Sequence, residues 1–230
     1  MSTATALAGR SIDLSDTGTG SITDDDSSTV SIAKSADGSE GGANGEFTVT
    51  QSAESSTDTV LSYTAAGTAA SGSDYTALSG SVTIPAGSTS ADITVLVTDD
   101  ALVEATETVE VTLDSITSGD PEITIDAGNN TDSLNISDND TATFAIDDPT
   151  VNEAAGTLTF TISVDKALDI DIDVDVAYTD DSATGGGADY DSTADVAAFP
   201  AGSTAAQSVT VAITNDAIVE ATETFTAAMS

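Results

Sequence analysis

The sequence predicts an all-β chain built as tandem antiparallel β-sandwiches, and three observations carry that prediction. First, apolar residues recur with a period of two: Ile93, Val95 and Val97 alternate with Thr94, Leu96 and Thr98, and Val109, Val111 and Leu113 alternate with Thr108, Glu110 and Thr112. Such runs, rich in Val, Ile and Thr, describe strands with one buried face. Second, the turn signal Pro85-Ala86-Gly87-Ser88 returns as Pro200-Ala201-Gly202-Ser203, at matching places between strands. Third, the acidic stretch Asp99-Asp100-Ala101-Leu102-Val103-Glu104-Ala105-Thr106-Glu107-Thr108 returns almost unchanged as Asn215-Asp216-Ala217-Ile218-Val219-Glu220-Ala221-Thr222-Glu223-Thr224. The offset is roughly 115 residues, the size of one sandwich. No segment sustains a helical period, so short strands separated by Gly, Ser and Asp turns leave the sandwich as the natural architecture.

In chain order, residues 1–26 form an N-terminal extension. Its end, Ser21-Ile22-Thr23-Asp24-Asp25-Asp26, matches Asn135-Ile136-Ser137-Asp138-Asn139-Asp140. The extension therefore reads as the last strand and acidic exit of a preceding copy, with Ile12, Leu14 and Ile22 as its apolar positions. Residues 27–140 make the first full copy. Residues 141–230 make a second, aligned through Phe47 with Phe160, Asp74-Tyr75 with Asp189-Tyr190, and Asp100 with Asp216. Met229-Ser230 falls where Leu113-Asp114 does, so this copy lacks its last strand. Two readings fit this layout. The chain is an excerpt of a longer array, or the N-terminal strand of one molecule completes the open second sandwich of another, giving head-to-tail homopolymers by strand addition.

Composition narrows function. Forty Asp and Glu against 3 Lys and Arg give a formal charge of −37 over 230 residues. Charge of one sign at that density opposes compaction unless counterions intervene, and it makes nucleic acid and acidic membranes poor partners. With so few basic residues, a bound cation is the expected neutraliser of the clustered acids. Cys and His are absent, which removes the usual zinc, copper and thiolate-iron ligands. Oxygen ligands alone remain, pointing to hard cations, calcium before magnesium. No apolar run is long enough to span a bilayer. The N-terminus lacks the basic and apolar regions of a signal peptide, so export uses another route or the natural N-terminus lies upstream.

The order of these motifs (Glu, strand, Asp-Tyr, Pro-Ala-Gly, Asp-Asp-x-x-x-Glu-x-x-Glu, strand, Asp-x-Asp) resembles the Calx-β repeat, a family of sodium–calcium exchanger regulatory domains and large bacterial surface proteins. The resemblance runs from about residue 27 onward and implies seven-stranded immunoglobulin-like sandwiches with calcium bound by loops at one end. It implies a ligand set in the first copy of Glu40, Asp74, Asp99, Asp100, Glu104, the Leu102 carbonyl, Asp138, Asn139 and Asp140. Calcium takes six to eight oxygens from such loops. In the second copy Glu153, Asp189, Asp216 and Glu220 are in place, Asn215 replaces an acid, and the terminal triplet is missing. Asp24, Asp25 and Asp26 of another molecule would complete that site. Glu107 and Glu223 belong to the motif but are assigned a structural role. The run Asp169-Ile170-Asp171-Ile172-Asp173-Val174-Asp175 reads as a strand with Ile170, Ile172, Val174 and Val176 inward and a solvated acidic face.

The expected function is a non-enzymatic, calcium-binding structural repeat of an extracellular or cell-surface adhesin, stalk or filament. The alternative is a calcium-sensing tandem regulatory domain. Catalysis is disfavoured: the acids crowd polar loops rather than a partly apolar pocket that would raise one of them, and no base accompanies the serines.

Overall fold

The structure is a computed structural model that describes residues 15–230. Ile12 and Leu14 of the predicted N-terminal strand lie outside the described residues. The first sandwich contains β1 (Ser28–Ala36), β2 (Gly38–Ser39), β3 (Gly45–Gln51), β4 (Thr59–Gly67), β5 (Ser81–Ile84), β6 (Ser90–Val95), β7 (Glu107–Ser118), β8 (Ile123–Ile125) and β9 (Thr131–Ser137). One sheet has the order β6-β3-β1-β8 and the other β2-β9-β7-β4-β5. The period-two pattern does what it predicts. Val30 and Ile32, Phe47 and Val49, Leu61 and Tyr63, Val109, Val111 and Leu113 all point between the sheets into one core. Each such side chain contributes about 1.5–3 kcal/mol on burial. Two short parallel pairings, β1 with β8 and β2 with β9, seal the ends of the sheets.

One glycine here is dictated by the backbone. Gly67 ends β4 at φ +124°, where a Cβ would collide with the Thr108 carbonyl of β7. Only glycine adopts that conformation without strain.

The second sandwich contains β10 (Phe144–Ile146), a 3-10 turn (Glu153–Ala155), β11 (Thr157–Val164), β12 (Ile172–Asp180), β13 (Asp195–Phe199), β14 (Gln207–Ala212) and β15 (Phe225–Met229). Its sheets are β10-β11-β14 and β13-β12-β15. Registers repeat those of the first sandwich. Phe160 pairs with Val209 as Phe47 pairs with Ile93, and Val176 pairs with Met229 as Tyr63 pairs with Leu113. The second core is more aromatic: Phe225 stacks on Tyr190 at 4.0 Å between ring centroids and meets Phe160 and Tyr178 edge-on or nearly so. Among the described residues no strand lies on the outer side of β15, where β9 lies in the first sandwich. Phe225, Ala227 and Met229 are consequently only half-buried, whereas Val109, Val111 and Leu113 are fully buried.

Two expectations are corrected. Residues 15–26 form no strand within this chain and are exposed. The acidic run begins its strand at Ile172 rather than at Asp169, and Ile170 is exposed. The preceding loop is held elsewhere. The Val103 N–H donates to the Ala167 carbonyl (2.9 Å) and the Asp169 N–H to the Val103 carbonyl (3.1 Å), a short ladder that joins the second sandwich to the acidic loop of the first.

Candidate metal centre

Four segments converge at one end of the first sandwich. β2 leads into Glu40, the Asp-Tyr turn supplies Asp74, the β6–β7 loop supplies Asp99 to Glu107, and the exit of β9 supplies Asp138 to Asp140. Local hydrogen bonds shape each segment. The Asp74 carboxylate accepts from the Ala70 N–H (2.5 Å) and the Asp100 carboxylate from the Leu102 N–H (2.7 Å). Asp138 accepts from the Glu104 N–H (2.8 Å) and the Asp140 N–H (2.7 Å), tying the loop to the domain exit. Asp99 accepts from the Asn139 side-chain amide (3.2 Å).

Two groups of carboxylates result. Glu40, Asp138 and Asp140 offer oxygens all within 4.8 Å of one another, and so do Asp74, Glu104 and Glu107. Glu40 is 4% exposed, yet its Oε2 has no hydrogen-bond partner, and neither does the buried Asp140 Oδ2. Leaving a buried carboxylate oxygen unpartnered is costly. Burial, reinforced by Asp138, Asp100 and Glu104, pushes Glu40 up to about 7. Burial, the hydrogen bond to Asp74 and the nearby Glu104 and Asp169 push Glu107 up to about 7 as well. Glu104 is raised by burial and by Asp74, Asp100, Asp169 and Asp138. Crowded acids with vacant oxygens have the donor chemistry that a hard cation satisfies.

The structure brings Glu107, to which the sequence assigns a structural role, into the site beside Asp74 and Glu104. The signal was present: Glu107 is in phase with Val109 and Val111, so alternation turns it inward at the strand's mouth. Two further participants could not be read locally. Asp169 of the second sandwich lies near enough to raise Glu104 and Glu107. Lys166, also of the second sandwich, pairs its ammonium with Asp140 Oδ1, so one of the rare basic residues does serve an acid of this site. The hydrogen bond holds Lys166 above its ordinary value.

The second sandwich repeats the scaffold in a looser form. The Asp216 N–H donates to Glu153 Oε1 (2.5 Å), Asp216 accepts from the Ile218 N–H (2.6 Å), and Asp189 accepts from the Thr184 N–H (2.6 Å). Asp189, Glu220 and Glu223 form a group within 4.8 Å, with Glu223 again inside it against expectation. Asn215 is exposed. The Asp24, Asp25 and Asp26 carboxylates also cluster, but they are fully exposed and join neither site.

A Calx-beta domain profile matches residues 23–140 and again residues 135–230. No curated protein matches the chain. Similar solved structures include CBD12 from CALX1.2, at 19% identity over 86% of this chain and 79% of that one, with a TM-score of 0.40. Calcium binding domain CBD12 of CALX1.1 is 20% identical over 77% and 72%, with a TM-score of 0.38. A two-domain protein of unknown function from Bacteroides fragilis is 9% identical over 82% and 88%, with a TM-score of 0.36. With the profile matched twice along its length, the chain belongs to the Calx-beta domain family and carries the domain in tandem.

Proposed function

We propose that this chain is a non-enzymatic, calcium-binding tandem module of an extracellular adhesin, stalk or filament, in which calcium stiffens the loop end of the first sandwich and its junction with the second. The buried, unpartnered Glu40 oxygen at the focus of Asp138 and Asp140 carries this reading. Glu40, Asp138 and Asp140 would hold one ion and Asp74, Glu104 and Glu107 another, with Asp99, Asp100 and the Leu102 carbonyl beside them. Four chain segments would then be cross-linked, so binding free energy becomes folding stability.

Stiffening follows from where the acids sit. Asp138 to Asp140 are both site and linker, and the same loop carries the Val103 ladder to Ala167 and Asp169. A charge of −37 suits a salty exterior, where calcium at about 0.1–1 mM matches the weaker class of oxygen-ligand sites. Head-to-tail joining through strand addition at β15 would extend the module into a filament. A calcium sensor is the second reading, favoured by Lys166: an ammonium on Asp140 competes with calcium for that carboxylate, so binding would alter the contact between the sandwiches.

Spin labels placed on the two sandwiches test the stiffening. Calcium should narrow the distribution of distances between them, and micromolar affinity would favour the sensor over the stalk. A distribution indifferent to calcium would refute both.

A further inference from the structure

Residues 165–171 form the loop through which the second sandwich meets the acidic end of the first, and its own sandwich holds that loop firmly. The Asp165 carboxylate accepts from the Thr143 N–H (2.6 Å), the Leu168 carbonyl from the Gly202 N–H (2.7 Å) and the Asp171 carboxylate from the Ala201 N–H (2.8 Å). Leu168 packs against the second core. On its other side the loop takes the short ladder from Val103, whose N–H donates to the Ala167 carbonyl and whose carbonyl accepts from the Asp169 N–H. Asp169 is thereby fixed beside Glu104, the residue after Val103. Asp165 and Asp171 each have a donor, but among the described residues nothing donates to the carboxylate of Asp169, which is exposed.

This loop brings opposite charges to the two carboxylate groups. Lys166 sets its ammonium on Asp140, which offsets part of the charge that Asp140 shares with Glu40 and Asp138. Asp169 instead adds a negative charge beside Asp74, Glu104 and Glu107, close enough to raise both glutamates. A backbone ladder that holds one more carboxylate next to three others is unfavourable unless a cation enters between them. The two groups are continuous through Glu104, which also raises Glu40, the residue whose buried Oε2 has no partner. We infer that the ion held by Asp74, Glu104 and Glu107 takes a further ligand from the second sandwich, the Asp169 carboxylate, so that one cation is shared between the two sandwiches. Asp169 stands beside that group rather than within its 4.8 Å, and its exposed side chain has the freedom to turn inward when the ion binds. The inference rests on the calcium reading above and names the atom group through which calcium would lock the junction. A joint made of two backbone hydrogen bonds becomes one clamped by a metal.

Asp169→Asn in the full chain tests the shared ion, with Asp173→Asn as its control. Both substitutions remove one charge from an exposed side chain of the same stretch, and neither touches the N–H groups of the ladder. In calorimetric titration with calcium, Asp169→Asn should weaken one binding event about tenfold, while Asp173→Asn leaves it in place. Spin labels on the two sandwiches should report calcium-induced narrowing of their distances in the wild type and in Asp173→Asn, and its loss in Asp169→Asn. In chelator the sign reverses: with the repelling charge gone, Asp169→Asn should melt above the wild type. A residue that merely supports the loop would lower the melting temperature in both conditions. That outcome, or equal calcium affinities in Asp169→Asn and Asp173→Asn, or a distance response that survives Asp169→Asn, would overturn the inference and leave the calcium reading standing. A wild type that binds no calcium would overturn both.

Discussion

Replacing Glu40 by glutamine should shift the stability of the first sandwich in opposite directions with and without calcium. Glu40 is buried, one oxygen takes a hydrogen bond from the Asp100 N–H, and the other faces Asp138 and Asp140 without a partner. Its carboxylate is raised from 4.5 to about 7, which means that holding it ionised costs the calcium-free fold about 3 kcal/mol. Glutamine keeps the acceptor for the Asp100 N–H and turns its amide toward the neighbouring carboxylates, replacing a repulsion with a donor. At pH 8 in chelator, Glu40→Gln should raise Tm by about 10 °C for a domain of this size. In saturating calcium it should lower Tm relative to wild type, because a ligand charge is gone and affinity falls by at least about tenfold. Differential scanning calorimetry in the two conditions reads both signs. A loss of stability in chelator as well as in calcium would mean that Glu40 is a structural hydrogen-bond acceptor, and the site argument would fail.

The remaining predictions concern pH, backbone and the second site. Glu40 and Glu107 both have folded-state values raised to about 7, so the stability they contribute is fully present below about 4.5 and lost as pH rises through 7. Calcium-free protein should therefore lose stability between those limits and calcium-loaded protein should not, and calcium binding at pH 6 should release protons measurable in buffers of different ionisation enthalpy. Asp37, Asp126 and Asp191 are lowered by hydrogen bonds; their contribution is lost only as pH falls below about 4, outside that window. Gly67→Ala should cost at least about 2 kcal/mol in urea unfolding, since its φ of +124° and the nearby Thr108 carbonyl both exclude a Cβ. Asn215→Asp restores an acid to the second site and should strengthen the weaker calorimetric binding event about tenfold; an unchanged isotherm would place Asn215 outside the ligand set.

Most of the sandwich was legible because strand faces are written in a period of two. Ile93, Val95, Val109, Val111 and Leu113 are buried as alternation requires. Where strand boundaries depart from the alternation, a non-local contact decides them. Ile170 continues the alternation on paper, but Val103 of the other sandwich holds the loop before it, and the strand starts two residues later. Asp24 to Asp26 resemble Asp138 to Asp140, yet resemblance supplies no edge to pair with. Lys166 is 26 residues from Asp140, and no spacing rule links them. The candidate site was legible as a list of acids, while its division into two groups was not, because that depends on how β2, the Asp-Tyr turn and the exit of β9 meet. Glu107 follows from the sequence as well, because it is in phase with the inward-facing Val109 and Val111.

Thermal unfolding of the full chain in about 1 mM calcium, in equal magnesium and in chelator tests the central claim most directly. At a hundredfold excess over the dissociation constant, calcium should stabilise the first sandwich by about 2.7 kcal/mol, a rise in Tm of about 10 °C that magnesium does not reproduce. Identical melting in all three conditions would contradict the account and leave the clustered acids as an uncompensated surface of a structural sandwich.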